Sequence, residues 1–203
     1  MTHPETMART RRQARWQGPQ GETSLQKVLA QRFSLTPSQR MQALDNASLV
    51  ADLAGIVLKE RDLRDGMLQG VDMRGADCRA AHLAKVLIQY AKAGGADFEG
   101  AQLDDIFIWK SDLAEASFAE AQLHKVTFEE SLLDDVSFAY ASLHGVRFHS
   151  LDLSECNFEG ARFADCNFFD VRIDERYRAR LEGMARGACR LSRVTWVAPS
   201  FVS

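Results

Sequence analysis

An unbroken five-residue spacing of apolar side chains constrains the fold of this chain more than any other feature. In SFAEAQLHKVTFEESLLDDVSF, residues 117–138, a phenylalanine or leucine stands at every fifth position. Helices repeat their apolar positions near 3.6 residues and strands near 2.0, so neither regular element explains the spacing. The same register runs from Leu53 to Ile173 without a slip and contains 25 apolar residues. This part of the chain is therefore a repeat array.

A second column of small or β-branched side chains stands two residues before the first. It runs from Val71 to Val171, and each unit reads small, polar, large apolar, polar, polar, as in ADFEG at 96–100. Two inward residues in every five require the chain to turn a corner in each unit. No proline lies within 51–175, as a continuous ladder of backbone hydrogen bonds requires.

This pattern resembles the pentapeptide-repeat family, whose consensus unit is A(D/N)LXX. The resemblance covers residues 51–175, although the units before residue 71 are degenerate, with Arg61 and Gly66 in the small column. It implies an all-β solenoid, a right-handed quadrilateral β-helix in which each unit forms one side of a square coil. Coils stacked at the strand spacing of about 4.8 Å would bury one continuous core, in a rod of about six coils, roughly 30 Å long.

Length and composition divide the chain into one repeat domain with terminal extensions. We predict a flexible basic arm at 1–22, a helical N-terminal cap at 23–50, the β-helix at 51–175, and a C-terminal helix with an apolar tail at 176–203. No apolar run is long enough to span a membrane and no secretory signal is evident, so we expect a bacterial cytoplasmic location. Three of the four cysteines fall on inward columns and no CxxC motif occurs, which indicates buried thiols.

The charge is unevenly distributed. Residues 51–175 hold 24 acidic and 12 basic side chains, whereas both ends of the chain are basic. We therefore expect no direct binding of nucleic acid by the rod.

The ends must also cover the open sheet edges of the solenoid. Residues 23–33 carry an apolar helical face, and 36–44 begin with a capping Thr36 before a proline, so two helices are predicted to cover the first coil.

At the other end, Asp174 is predicted to cap a helix in which Tyr177, Leu181 and Met184 recur at helical spacing. That helix either covers the last coil or joins two molecules, and the resemblance implies that relatives often dimerise through such a helix. The final segment, which contains Trp196, is too apolar to remain exposed. We expect it to pack on the rod or on a second chain.

Residues one coil apart stack on the same face, so the outward residues can be sorted by face. The face centred on Leu113 and Leu133 carries carboxylates in every coil, opposed by Arg172 alone. Like charges stacked across strands destabilise a sheet, so this stripe either serves solubility or binds a basic partner. The predicted acidic face consists of Asp112, Glu115, Asp134, Asp135, Asp152, Glu155, Asp174 and Glu175.

The face centred on Ile88 and Ile108 carries outward apolar residues on two adjacent coils, at positions that are normally polar. Clusters of this kind mark interfaces. Either the terminal segments cover the cluster, or it is a partner-binding patch centred on Trp109. The predicted aromatic patch consists of Leu87, Tyr90, Phe107 and Trp109.

The sequence contains no catalytic motif, and a lumen filled by phenylalanine and leucine has no room for a cofactor. The column Asp104, His124, His144 lacks a fourth ligand, so no metal is predicted.

One hypothesis is a non-catalytic scaffold or adaptor that docks partner proteins, such as a secretion-system component, through the aromatic patch, the terminal segments and the acidic face. The alternative, implied by the resemblance, is a DNA-mimicking decoy that binds a DNA-binding enzyme such as gyrase. The basic arm and the helical N-terminal region depart from that second pattern.

Overall fold

The chain folds into a rod of stacked parallel coils. The computed structural model describes residues 11–36, 38, 52–184 and 189–198, which form a parallel β-solenoid of about seven turns with helical ends. The strands are β1 (Asp62–Arg64), β2 (Met67–Gln69), β3 (His82–Ala84), β4 (Leu87–Gln89), β5 (Gln102–Asp104), β6 (Phe107–Trp109), β7 (Gln122–His124), β8 (Thr127–Glu129), β9 (Ser142–His144), β10 (Arg147–Leu153), β11 (Arg162–Ala164), β12 (Cys166–Asp174) and β13 (Cys189–Val197). The helices are α1 (Gly18–Arg32), a 3-10 helix (Glu175–Tyr177) and α2 (Arg178–Met184).

Two parallel sheets form two of the four sides of the rod. The odd-numbered strands β1 to β11 make a six-stranded sheet, side A, and the even-numbered strands with β13 make a seven-stranded sheet, side B. Leu103 pairs with Leu123, so consecutive coils are in register one full coil apart, as predicted. On side C, around Leu113, and on side D, around Phe118, isolated bridges join most consecutive coils to each other.

The core is the lumen of the rod, and the five-residue period supplies it. All 25 residues of the period point inward, with exposed fractions of at most 9%. Phe98, Phe118, Phe138 and Phe158 form a stack whose neighbouring ring centroids are 4.8 to 5.3 Å apart. A second stack of phenylalanines on side B meets the first edge to face, an arrangement that aromatic rings favour.

The fifth residue of nearly every unit turns the corner in a left-handed backbone conformation. From Gly55 to Asp170 these corner residues have φ between 46° and 69°, with Glu155 as the exception. Residues with a Cβ lose about 1–2 kcal/mol in this conformation. The ladder between coils offsets the loss; at one corner, for example, the Glu115 N–H donates to the Asp134 carbonyl at 2.8 Å.

The N-terminal segment covers the first coil. Leu25 of α1 is buried against the core, and the indole N–H of Trp16 donates to the Ala54 carbonyl at 3.1 Å. After α1 the chain runs along the open edge, where the Ser34 N–H donates to the Arg64 carbonyl at 2.7 Å. These contacts cover the sheet edge that the solenoid would otherwise expose.

The predicted flexible arm at 1–22 is wrong for its second half. Residues 11–14 are helical, α1 begins at Gly18, and Trp16 is buried. The physical reason is that Trp16 finds an apolar site on the first coil and Arg15 pairs with Asp52 at 2.7 Å. Residues 1–10, and the predicted second helix at 36–44 beyond residues 36 and 38, lie outside the described residues.

The C-terminal helix covers the last coil. The Asp174 carboxylate accepts the Arg176 N–H at 2.8 Å and caps the 3-10 helix, as predicted for this residue. Leu181 of α2 is buried, and Tyr177 and Met184 pack against the core beside it. Their apolar face therefore lies on the rod of the same molecule, which is the first of the two predicted arrangements.

The apolar tail also packs on the rod, as a strand. β13 pairs in parallel with β12, placing Leu191 beside Phe168 and Trp196 beside Ile173. This added strand explains why one sheet has seven strands where about six coils were predicted. In the described part of the chain, no helix is long and apolar enough to cross a membrane.

Candidate protein-binding surfaces

The aromatic patch forms a continuous surface on side B. Leu87 and Phe107 pair in register on adjacent coils. The Trp109 ring lies 5.1 Å from the Tyr90 ring in an edge-on arrangement, and the Lys110 ammonium lies 4.6 Å from the Trp109 ring centre. Tyr90 is 48% exposed and the other three patch residues are half-buried. The backbone ladder and the ring contacts hold these side chains in place before any partner binds.

In the described chain, neither terminal segment covers the aromatic patch. Trp16 and Leu25 lie against the first coil, and Trp196 pairs beside Ile173 at the opposite end of the rod. Tyr90 stands at a left-handed corner with φ of 52°, which directs its ring outward. Within the described residues the patch is therefore uncovered, and its role in binding a partner stays a prediction.

Side C carries part of the predicted acidic face. Glu115, Asp134, Asp135 and Glu155 are exposed, and among the described residues none of the four has an ion-pair partner. Glu115 and Asp135 occupy the same corner position on consecutive coils. Leu132, 58% exposed, lies on the same side, where it pairs with Asp112, and the sequence interpretation overlooked it. Its apolar character at an outward position was the available signal.

In the last coil both predicted carboxylates pair with arginines, and one of them is buried. Asp174 is 1% exposed and its carboxylate pairs with the Arg176 guanidinium at 3.0 Å, so its assignment to the acidic face is wrong. The chain leaves side C at this point and enters the 3-10 helix, which turns Asp174 into its cap. Glu175 lies in that helix and pairs with Arg178 at 3.5 Å.

Two more of the predicted carboxylates have local partners. Asp152 pairs with Arg172 at 2.9 Å, and Asp112 accepts the Ala114 N–H at 3.1 Å. The prediction that Arg172 alone opposes the acidic face is also wrong, because Arg176 and Arg178 pair with carboxylates of the predicted face as well. The exposed carboxylates of this face that have no ion-pair partner among the described residues are thus fewer than predicted: Glu115, Asp134, Asp135 and Glu155.

Buried hydroxyl groups build the corner between the aromatic patch and the acidic face. The Ser111 hydroxyl donates to the Trp109 carbonyl at 3.0 Å and accepts the Ala91 N–H at 3.2 Å. The Ser131 hydroxyl accepts the Ser111 N–H at 3.1 Å in the next coil. Ser111 and Ser131 were predicted only as members of the small inward column. Their hydrogen bonds join both surfaces into one rigid unit.

The C-terminal candidates for a dimer contact are occupied within the molecule. The Tyr177 hydroxyl accepts the Phe158 N–H at 3.0 Å, and its ring packs edge-on to Phe158 at 5.6 Å. The Arg178 guanidinium lies 5.7 Å from the Trp196 ring centre. Trp196 itself is half-buried on the terminal strand.

The outward histidine column on side A pairs with carboxylates. His124 Nδ1 lies 2.6 Å from Asp104 Oδ1, and the His124 and His144 ring centres are 5.3 Å apart. Within the described residues, no group of three or more histidine, cysteine or acidic side chains is arranged to hold a metal ion.

The parallel coils, the inward pair of residues in each unit and the left-handed corners define a quadrilateral β-helix. Residues 107–176 match the family model described as "Pentapeptide repeat region". The chain therefore contains a pentapeptide repeat region, and the resemblance seen in the five-residue period is confirmed. No curated protein matches the sequence.

Solved structures of pentapeptide-repeat proteins are similar to this chain, and HetL shares its fold. HetL, involved in heterocyst differentiation regulation in the cyanobacterium Nostoc sp. strain PCC 7120, is 19% identical with a TM-score of 0.55, and the match covers 79% of each chain. Rfr23 from the cyanobacterium Cyanothece 51142 is 15% identical with a TM-score of 0.40, covering 78% of this chain and 99% of Rfr23. QnrB1, a plasmid-mediated fluoroquinolone resistance protein, is 14% identical with a TM-score of 0.40, covering 72% and 79%.

Proposed function

We propose that this chain is a non-catalytic scaffold or adaptor that docks a partner protein through the aromatic patch and the adjoining acidic face. The observation that carries the proposal is the exposed pair Tyr90 and Trp109 on a rigid sheet, with Leu87 and Phe107 beside it. Tryptophan and tyrosine dominate binding energy at protein interfaces when they lie in a desolvated centre. Because the rings are already ordered, they lose little side-chain entropy when a partner binds.

The acidic face defines the chemistry of the partner. Glu115 and Asp135 lie on the side that follows the aromatic patch, and Leu132 adds apolar area on the same side. A partner that covers both surfaces would present an apolar centre with a basic rim. Exposed carboxylates of this kind act mainly on association rate and are screened by salt, whereas the aromatic centre acts on dissociation.

The proposal is tested by capture of partners from a bacterial lysate with the purified chain and three single variants. Trp109→Ala should weaken capture of the main partner by at least about 30-fold, the equivalent of roughly 2 kcal/mol. Tyr140→Ala is the matched control for Tyr90→Ala, because both tyrosines are exposed at left-handed corners with φ of 58° and 52°. Equal capture by all three folded variants would refute the aromatic patch as the docking centre.

A second candidate function is a decoy in which carboxylates replace DNA phosphates on a DNA-binding enzyme such as gyrase. The observation that favours it is the set of exposed carboxylates on side C that have no ion-pair partner in the described part of the chain, including Glu115, Asp135 and Glu155. In a gyrase supercoiling assay, the decoy predicts inhibition or protection that Asp135→Lys with Glu155→Lys abolishes and Trp109→Ala spares. No effect at micromolar concentration would remove this candidate and leave the scaffold proposal standing.

The proposal extends to the kind of partner and to the location of the protein. The proposed partner is a protein, for example a secretion-system component, and the proposed location is the bacterial cytoplasm. In a homodimer formed through α2 and Trp196, the exposed parts of these side chains would contact a second copy of the chain. Sedimentation equilibrium of the full chain measures this directly, with Trp196→Ala as the variant expected to shift a dimer to the monomer.

A further inference from the structure

Two cysteines lie face to face at the C-terminal end of the rod. Cys166 begins β12 and Cys189 begins β13, and the parallel ladder pairs them directly. Both side chains are buried. Neighbouring strands lie about 4.8 Å apart, within the range of about 4.4–6.8 Å that disulfides span between Cα atoms. Both thiols are free in this structure.

The two thiols differ in reactivity. The Cys166 S–H donates to the Leu143 carbonyl at 3.3 Å. Interaction between the two thiols lowers the pKa of Cys189 and, with burial, raises the pKa of Cys166. Cys189 is therefore the better nucleophile, because the thiolate is the attacking form. Both cysteines line a groove of about 670 Å³ along the edge between sides A and B. Gly145, with no side chain, also lines this groove.

We propose that Cys166 and Cys189 are a thiol–disulfide modification site at which a small disulfide reagent closes a cross-strand bond between β12 and β13. The Cys189 thiolate attacks one sulfur of the reagent, forming a mixed disulfide and releasing one thiolate. The Cys166 thiol then loses its proton to water and attacks the Cys189 sulfur, releasing the second thiolate. Overall, two cysteine thiols are oxidised to one disulfide, and the reagent is reduced to two thiols.

The bond would fasten the terminal strand to the rod. β13 is the last strand of its sheet and pairs on one edge only, with β12. Leu191, Val194 and Trp196 on this strand are only half-buried, so packing holds the strand less firmly than the interior coils. A covalent link at its first residue limits how far the strand can separate, which predicts a higher thermal midpoint for the oxidised protein.

The test is incubation of the folded, reduced full chain with oxidised glutathione, followed by thiol counting in denaturant and peptide mass mapping. We expect two of the four thiols to disappear and one linked peptide pair to contain Cys166 and Cys189. Dithiothreitol should restore all four thiols and lower the thermal midpoint again. Cys156→Ala is the matched control, since Cys156 is buried in the same inward column and bonds the Leu133 carbonyl.

The variants separate this pair from general oxidation. Cys166→Ala and Cys189→Ala should each abolish the linked peptide, whereas Cys156→Ala should retain it. Persistence of four thiols in the wild-type chain after incubation with excess reagent would overturn the proposal. So would a linked peptide that contains Cys156 or joins two chains. The wild-type mapping decides the question even if one of the variants does not fold.

Discussion

Substitution of Phe118 by alanine is the most direct test of the stacked core. The ring is fully buried between Phe98 and Phe138, at centroid distances of 4.8 and 5.3 Å, and meets Phe128 edge-on at 5.7 Å. Removing a buried phenylalanine from a core costs about 3–5 kcal/mol in the free energy of unfolding, from lost transfer energy and the cavity that remains.

The structure places the loss for Phe118 at the upper end, about 4–5 kcal/mol. A cavity costs most where its walls cannot move inward. Here the coils above and below are held at strand spacing by the backbone ladder, so the walls have little freedom to collapse. Phe98→Ala is the internal comparison, because its one ring neighbour among the described residues is Phe118. Its expected loss is about 1 kcal/mol smaller, the value of one or two aromatic contacts.

Equilibrium unfolding in urea, followed by far-UV circular dichroism, measures these losses. Leu132→Ala serves as a surface control, because this leucine is 58% exposed and should change stability by less than about 0.5 kcal/mol. A loss below about 1.5 kcal/mol for Phe118→Ala would refute the rigid stacked core. A larger loss for Phe98→Ala than for Phe118→Ala would refute the ring-contact argument.

Two further predictions concern the N-terminal cap. Arg15 lowers the pKa of Asp52 from 3.8 to about 2, so the stabilisation from this pair is present above pH 4 and is lost as the pH falls towards 2. Asp52→Asn should remove this slope in acid unfolding, by less than about 1 kcal/mol because the carboxylate is 66% exposed. Gly66→Ala would place a Cβ 2.5 Å from the Phe33 ring and should destabilise the cap by about 1–3 kcal/mol. Unchanged thermal unfolding and unchanged proteolysis of α1 would contradict this second prediction.

The arrangement of the repeat was predictable because it depends on neighbours in sequence. Each unit places its two apolar residues inward and turns a corner at its fifth residue, so Phe118 and Leu133 are buried as the period requires. The same local rule placed Tyr90, Trp109 and Glu115 on the outer surface. The aromatic patch could therefore be located before the coordinates, and the structure added its contacts and exposure.

The rule failed where the chain departs from the period. Asp174 has the sequence position of an outward residue, but the 3-10 helix that follows makes it a buried cap. Trp16 lies in a stretch of polar and charged residues that suggests a mobile arm, yet its ring reaches a site on the first coil. Neither outcome has a local periodic signal, because each depends on a surface formed by distant residues.

The amino-acid sequence by itself determined the inward columns, the faces of the rod and the position of the aromatic patch, since side-chain direction repeats within each unit of five. Only the tertiary structure decided which carboxylates keep counter-charges and where the ends attach. The pairing of Cys166 with Cys189 shows the physical reason. α2 interrupts the period between them, and the register of β13 is selected by backbone pairing and apolar contact with the finished rod, which no short stretch of sequence encodes.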